Sequence, residues 1–399
     1  MGTFLVFVFR IADIANSIKG GILMRLWKKA LSVLLVSATA ISMCACGGAK
    51  KGSGSSDTFK IGGIGPLTGD AASYGTSVKN GAQIAVDEIN EAGGVNGQKF
   101  ELMFEDDQAD AEKSVNAYNT LMDKGANAIV GATTSACSIA VSAASVNDGI
   151  LQITPSGSAA DCTKESNTFR ICFTDPVQGE TMAKSMTDRG LKNVAIIYDN
   201  GDEYSKGVHD AFVAKFKEFG GNIAADESFT SGDVDFNTQL TKIKSSGADC
   251  LFLPIYYTEV AYITDQAAAL GMTLPLFGCD GWDGVIKQLN GDTSKINGAT
   301  FLTPFVSTDP DEKVKKFVET YKTLYNAEPD QFAADSYDAV YAIKLAIEKA
   351  GDTSSEALIA AMTQITVDGL TGEMTFDENG EPIKSAKFAV IKDGAYTVE

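Results

Sequence analysis

The chain of 399 residues has a single histidine, two tryptophans and nine prolines. One histidine, His209 in "SKGVHDAFVAKF", excludes a His-based zinc site of the ordinary kind and a Ser–His hydrolase arrangement, and no G-x-S-x-G elbow surrounds a serine. His209 reads instead as a helix-surface residue. Cations are also scarce: 33 Lys and Arg stand against 52 Asp and Glu, a formal net charge of −19. Such an acidic surface argues against nucleic acid and against lying flat on anionic lipid. Beyond residues 1–45, no stretch is long and apolar enough to span a membrane. There is no Walker lysine sequence. "GGIGPLTGD" fits G-x-G at Gly63 and Gly65, but Thr68 stands where the third glycine belongs and Pro66 interrupts, so a dinucleotide loop has little support. No cofactor and no metal are implied, and the lack of a base–nucleophile set disfavours an enzyme.

Two of the seven cysteines sit in "ISMCACGG" (41–48), which admits a metal knuckle, a redox pair, a buried strand end or a processing site. The preceding residues discriminate. Arg25, Lys28 and Lys29 form a short basic region, and "ALSVLLVSATAIS" (30–42) follows without a charge. That run is too short for a permanent span but fits the apolar part of a secretory signal. Ala45 is the small residue expected before a cleaved bond. "Met-Cys-Ala-Cys" resembles a bacterial lipobox, weak at its first position. The resemblance implies cleavage before Cys46 and a diacylglyceryl thioether on it, a firm anchor because more than one acyl chain is attached. No second pair of cysteines or histidines completes a metal or redox site. Residues 1–45 therefore read as an upstream leader plus lipoprotein signal peptide. Residues 46–57 read as a lipidated cysteine and a flexible Gly/Ser/Lys tether. The basic region suggests a start at Met24, since Lys19-Gly20-Gly21 is encodable by a ribosome-binding sequence; the alternative is a long signal peptide from Met1. Removing the leader takes away Arg10, Lys19, Arg25, Lys28 and Lys29 against one acid, Asp13, so the mature chain is more acidic still. Outside the cell Cys162 and Cys172, bracketing "TKESNTFRI", are the pair placed for a disulfide, contributing ~3 kcal/mol if unstrained. Cys137, Cys250 and Cys279 read as small buried residues.

From residue 58 onward, apolar runs alternate with amphipathic stretches. Strands are expected at "FKIGGIGPL" (59–67), "KFELMFED" (99–106), "AIVGAT" (128–133), "LQITPS" (151–156), "TFRICF" (168–173), "NVAIIYD" (193–199), "CLFLPIY" (250–256) and "PLFGCD" (275–280). Between the first two, Ala82, Ala85, Val86 and Ile89 recur at helical spacing before Gly93-Gly94 stops the run. Continuous apolar strands alternating with helices imply parallel sheets covered on both faces, and the length suits two α/β domains.

In open parallel sheets, ligands sit beyond the carboxyl ends of the strands. Those loops here are rich in hydroxyls: "GPLTGDAASYG", "GATTSACS", "TPSGSAAD", "YDNGDEYSKG", "PIYYTEV" and "GCDGWDG". Ser135 lies at a strand-to-helix junction, where free N–H groups and the helix dipole favour an anion; alone, it would more commonly be an N-cap. Ser156 and Ser158 follow the next strand. Asp280, which alone would suggest an Asx-turn, could face an ammonium. Together they describe a zwitterion site, with hydroxyl donors on one side, a carboxylate on the other and tyrosines as walls.

These stretches, with "IGGIGPLTGDAASYGTSVKNGAQIAVDEINEAGGVNGQKFELMFEDDQAD", "FRICFTDPVQG" and "DSYDAVYAIKLAIEKAG", resemble the leucine/isoleucine/valine-binding proteins of bacterial ABC importers over residues 57–399. The resemblance implies a type I periplasmic-binding fold: two Rossmann-like parallel-sheet lobes joined by three hinge crossovers, placed near 174, 303 and 368. Lobe I would be 58–174 and 303–367, and lobe II 175–302 and 368–399. It implies that Ser135 and Ser158 bind the ligand's carboxylate, that Ser156 donates through backbone groups, and that Asp280 meets the α-ammonium where leucine-type members have the longer glutamate. Tyr74, Tyr204 and Tyr256 become wall aromatics, and the role of Trp282 stays open. Thr133 and Thr134 are more polar than a leucine pocket prefers. The partners implied are a free neutral amino acid, branched-chain or otherwise aliphatic, and membrane permease subunits. The protein would be a monomer, lipid-anchored outside the cytoplasm. The alternatives are the same fold binding an amide, urea or aromatic acid, or a ligand sensor.

Overall fold

"FKIGGIG" is nearly all apolar or glycine, and such a run is stable only with both faces covered. It forms β1 (Phe59–Gly65), the second strand of a five-stranded parallel sheet ordered β2-β1-β3-β4-β5. The computed structural model describes residues 58–290, 292–384 and 386–399. The leader, the tether and Cys46 lie outside the described residues. The other strands of this sheet are β2 (Phe100–Asp106), β3 (Ala128–Val130), β4 (Gln152–Thr154) and β5 (Thr168–Arg170). Helices α1 (Ala72–Glu91), α2 (Ala111–Asp123) and α3 (Ser135–Asp148) connect the first four. Ala82, Ala85, Val86 and Ile89 all face inward on α1, as their spacing predicts, and positive φ at Gly93 and Gly94 (109° and 82°) follows the helix. Asp110 caps α2 by accepting from Lys113 N–H.

After β5 the chain enters α4 (Asp175–Asp188) and builds a second sheet, ordered β15-β14-β10-β9-β8-β6-β7. Its parallel part is β6 (Asn193–Asp199), β7 (Asn222–Phe229), β8 (Cys250–Leu253), β9 (Leu276–Gly278) and β10 (Thr300–Thr303). Helices α5 (Glu203–Glu218), α6 (Asn237–Ser245), α7 (Tyr257–Ala269) and the short α8 (Val285–Gln288) lie between these strands. The chain then returns to the first lobe. There α9 (Glu312–Tyr325), α10 (Gln331–Ala350) and α11 (Ser355–Met362) precede a small antiparallel sheet of β11 (Thr366–Gly369), β12 (Gly372–Phe376) and β13 (Pro382–Ile383). Finally β14 (Lys387–Lys392) and β15 (Ala395–Val398) close the second sheet in antiparallel sense.

The third passage between lobes is thus not near 368. Val367, Met374 and Phe376 are buried in the same core as Phe59, Ile61, Ile343 and Leu358. The hairpin they form belongs to the first lobe, and the chain crosses only between β13 and β14. The strands β7 and β10, and all strands after residue 360, carry no expectation from the sequence. Cys162 and Cys172 do not form a disulfide: both are free and buried. The Cys162 thiol donates to Ser135 O at 3.6 Å. The turn they bracket is held by the buried Arg170 instead, which donates to Gly157 O (3.0 Å) and Thr163 Oγ1 (3.1 Å) and pairs with Glu381 (2.8 Å).

Candidate functional site

The parallel strands of both sheets end at one cleft, and the loops after them supply its lining. Tyr74 follows β1; Thr133, Thr134 and Ser135 follow β3; Ser156 and Ser158 follow β4. From the second lobe, Tyr204 follows β6, Tyr256 follows β8, and Asp280 and Gly281 follow β9. Together with Phe332 these residues line a single cavity. All seven ligand residues expected from the sequence are therefore brought to one place.

One wall is built of donors. Thr134, extended at φ −91° and ψ 156°, occupies the N-cap position of α3, and Ser135 is the first helical residue. The first intrahelical bond runs from Ser138 N–H to Thr134 O, so the preceding amides of the turn have no intrahelical acceptor. The Ser135 hydroxyl does not cap. Its oxygen accepts from Ser158 N–H (3.1 Å) and Ala159 N–H (3.2 Å), fixing the second loop against the helix start. With its oxygen so engaged, Ser135 has its proton left to donate. Ser156 Oγ donates to Thr133 O at 2.6 Å.

The opposite wall carries the acid. Asp280 is 4 % exposed, and burial pushes its carboxyl up to about 6, against the pull of Tyr204, Gln178 and the Gly281 amide. Its backbone is fixed from both sides: its N–H donates to Gln178 Oε1 (3.1 Å), and its carbonyl accepts from Gln331 Nε2 (2.6 Å). Gln331 in turn accepts from Thr303 Oγ1 at 2.9 Å, so the acid is braced where β10 leads into the second passage. Tyr204 and Tyr256 stack at 5.1 Å with 4° between planes, and Tyr74 meets Tyr256 edge-on at 5.5 Å. Phe332 lies against Tyr74 at 4.0 Å. Burial raises all three tyrosine hydroxyls well above their ordinary values, so they remain neutral. Trp282 is a structural residue: fully buried, its indole N–H donates to Leu253 O at 2.8 Å.

Thr134 and Tyr256 also line a wider chamber at the mouth, with Asp70, Asp199, Asp202 and Glu259 around it and no cation among its lining residues. Burial is the main cause that pushes Asp202 up to about 6 and Glu259 up to about 7. This chamber disfavours an anionic side chain.

Phe332, Gln331 and Gln178 were not legible from the strand-end argument. Phe332 and Gln331 open α10, which arrives from the second passage rather than from a strand end. The Asp330 side chain caps that helix by accepting from Ala333 N–H (3.1 Å).

The periplasmic binding protein family profile matches residues 58–395. The chain is 35% identical over 338 residues to the Leu/Ile/Val-binding protein BraC3 of Rhizobium johnstonii, covering 83% of this chain and 90% of that protein. It is 30% identical to the leucine-, isoleucine-, valine-, threonine- and alanine-binding protein of Pseudomonas aeruginosa, covering 84% and 90%. The branched-chain amino acid transporter substrate-binding protein LivJ of Streptococcus pneumoniae, solved in complex with isoleucine, superposes with a TM-score of 0.80 at 31% identity, covering 86% of this chain and 99% of that one. Two parallel-sheet lobes, a cleft at the strand ends and these matches over nearly all described residues establish that the chain belongs to the periplasmic binding protein family, of type I fold.

Proposed function

We propose that this protein is the extracytoplasmic substrate-binding component of an ABC importer, that it binds a neutral aliphatic amino acid between its lobes, and that it delivers the ligand to a membrane permease. The observation that carries the reading is the polarity of the cavity. First-lobe hydroxyls and the start of α3 face a second-lobe carboxylate, Asp280, across a box of aromatic rings. A zwitterion satisfies both walls at once, and an aliphatic side chain suits the rings. Urea or a simple amide would leave Asp280 buried without a counter-charge, at a cost of several kcal/mol. An aromatic acid would do the same. The names of the relatives, which specify leucine, isoleucine, valine, threonine and alanine, point the same way. The ligand closes the lobes because only the closed state lets it touch both walls. No step of this cycle needs catalysis or a cofactor. The protein acts as a monomer, tethered through lipid on Cys46.

A thermal-shift screen against the twenty amino acids, GABA, urea and benzoate tests this. A ligand at ~100 times its dissociation constant adds about 2.7 kcal/mol to apparent stability. Stabilisation by one or a few neutral amino acids is expected. Stabilisation by urea or benzoate alone would overturn the roles of Ser135 and Asp280. For the anchor, metabolic labelling with palmitate should mark the wild-type protein and fail to mark Cys46→Ala.

A further inference from the structure

Asp283 follows the single turn Asp280–Trp282 in the second lobe and is 2 % exposed. Its N–H donates to Asp280 O at 3.0 Å, but its side chain turns to the other lobe. There Oδ2 accepts from the N–H of Gln331, the first residue of α10, at 2.8 Å. Oδ1 is buried with no hydrogen-bond partner, although buried polar groups ordinarily find one. The residue before Gln331 is Asp330, whose carboxylate accepts from Ser77 Oγ (2.6 Å) and Ala333 N–H (3.1 Å). The closed lobes therefore seat a second-lobe carboxylate one peptide unit from a first-lobe carboxylate. A helix start attracts negative charge, but Asp330 already occupies this one as its cap. Burial pushes the Asp283 carboxyl well up, Asp330 and Asp280 add to the push, and the Gln331 and Gly284 amides oppose it. Burial also pushes Asp330 up to about 6, with the exposed Lys287 on α8 favouring its charge, so Asp283 faces an anion at neutral pH. By contrast, Tyr257 Oη donates to Asp70 O (2.7 Å) and Tyr74 Oη to Gly281 O (2.5 Å) across the lobes between neutral groups.

We propose that Asp283 is a brake on closure: the closed state buries it half-satisfied beside Asp330, so the ligand-free protein is held toward its open form until a ligand supplies contacts that outweigh the cost. This rests on closure of the two lobes around a ligand, and not on which ligand enters. Opening parts Asp283 from Gln331 and lets water solvate both of its oxygens. Closing removes that water and returns one hydrogen bond. A carboxylate taken out of water beside a like charge loses more than one such bond recovers. Asp283 is not among the residues that line the cavity, so the brake acts on every ligand alike. Apparent affinity is reduced by the fraction of protein in the competent state, so relieving the brake should tighten binding. The device suits a carrier, because a protein that closed without its ligand would show a transporter the same surface as a loaded one.

The test is made on the full protein as wild type, Asp283→Asn, Asp330→Asn and the double variant. Calorimetry measures isoleucine binding, and single-molecule energy transfer between dyes on the two lobes measures the closed fraction without ligand. An asparagine in place of Asp283 keeps an oxygen for the Gln331 N–H and removes the charge, and an asparagine in place of Asp330 keeps the helix cap. Asp283→Asn should tighten isoleucine by about tenfold and raise the ligand-free closed fraction by a similar factor. Asp330→Asn should act in the same sense, and the gain from Asp283→Asn should shrink in its background. Unchanged or weaker binding in Asp283→Asn, or no added closed population, would overturn the proposal, as would a gain of the same size in the Asp330→Asn background. If Asp283→Asn fails to fold, Asp330→Asn decides: tighter binding supports the brake, and unchanged or weaker binding overturns it. Failure of the wild type to bind isoleucine would overturn the amino-acid reading instead, and the ligand-free closed fraction would still decide the brake.

Discussion

At the scale of single residues, Asp280 is the group whose chemistry the fold changes most usefully. Burial raises its carboxyl to about 6, above the ordinary carboxylate range, because the charged form loses its hydration. A raised acid destabilises the folded protein as pH climbs from the ordinary value through about 6, and the strain is absent below that window. A bound ammonium offsets it by supplying the missing counter-charge. Affinity for a neutral amino acid is therefore expected to fall as pH drops through about 6, with protons released on binding below that point. Titration in two buffers of different ionisation heat reads this directly, and a flat profile would contradict it. Asp280→Ala should cost on the order of 2–5 kcal/mol of binding, and a change below about threefold in affinity would remove Asp280 from the site. Ser135, Ser156, Ser158 and Asp280 could be read from the sequence because parallel sheets put ligands at strand ends, and strand ends are visible as the close of apolar runs. Phe332 and Gln331 could not. They sit at the start of a helix whose periodicity says only that one face is buried, and no local pattern tells which cleft its end approaches.

At the scale of elements, the parts the sequence left unread were held by long-range contacts. The hairpin β11–β12 is short, but its turn is fastened to α10 by one buried carboxylate: Asp338 accepts from Leu370 N–H (2.8 Å), Thr371 N–H (2.9 Å) and Thr371 Oγ1 (2.7 Å). A Cβ at Gly369 would lie 2.3 Å from Asp338 Oδ2, so glycine is required there by close approach. Asp338→Ala orphans these donors and should destabilise by on the order of 3 kcal/mol or more. Denaturant titration measures it, and a loss below about 1 kcal/mol would show that the hairpin does not depend on this contact. The β14–β15 turn had a local signal in Asp393-Gly394, both at positive φ (51° and 82°), which suits a tight hairpin. What hid β7 was its position at the sheet edge, where Asp226 and Glu227 break the apolar run.

His209 fastens that edge. On α5, its ring bonds Asp226 Oδ1 on β7 and Asp210 Oδ1, each at 2.9 Å, and stacks on Tyr198 at 3.8 Å. The expected helix-surface residue is thus largely buried against a strand. Burial lowers its pKa, but the two carboxylates outweigh burial and the net shift is upward. A raised histidine stabilises fully below its ordinary value near about 6.5, and the contribution is lost as pH rises through the higher folded value. His209→Asn should remove that part of the pH dependence of stability. An unchanged slope across neutral pH would mean that the two aspartates do not hold the proton.

At the scale of the molecule, the two lobes meet in a closed arrangement clasped by hydrogen bonds that exist only when they touch. Tyr257 Oη donates to Asp70 O (2.7 Å) and accepts from Ser73 N–H (3.3 Å), Thr258 Oγ1 donates to Asp70 O (3.1 Å), and Tyr74 Oη donates to Gly281 O (2.5 Å). Each such bond favours closure by about 1 kcal/mol net. Tyr257→Phe keeps the ring and removes the hydroxyl, so the open form gains population and apparent affinity should fall roughly five- to thirtyfold. Small-angle scattering of the ligand-free variant should report a larger radius of gyration than wild type. Unchanged affinity would show that the clasp does not bias the equilibrium.

The central claim is that the cleft holds an α-amino acid by both of its charges. A crystal structure of the protein grown with isoleucine tests it most directly. The account predicts the ammonium nitrogen within hydrogen-bonding distance of Asp280, the carboxylate on Ser135 and the start of α3, and the side chain among Tyr74, Tyr204, Tyr256 and Phe332. A ligand bound in the reverse sense, with its carboxylate toward Asp280, or no ligand in the cleft at saturating isoleucine, would contradict it.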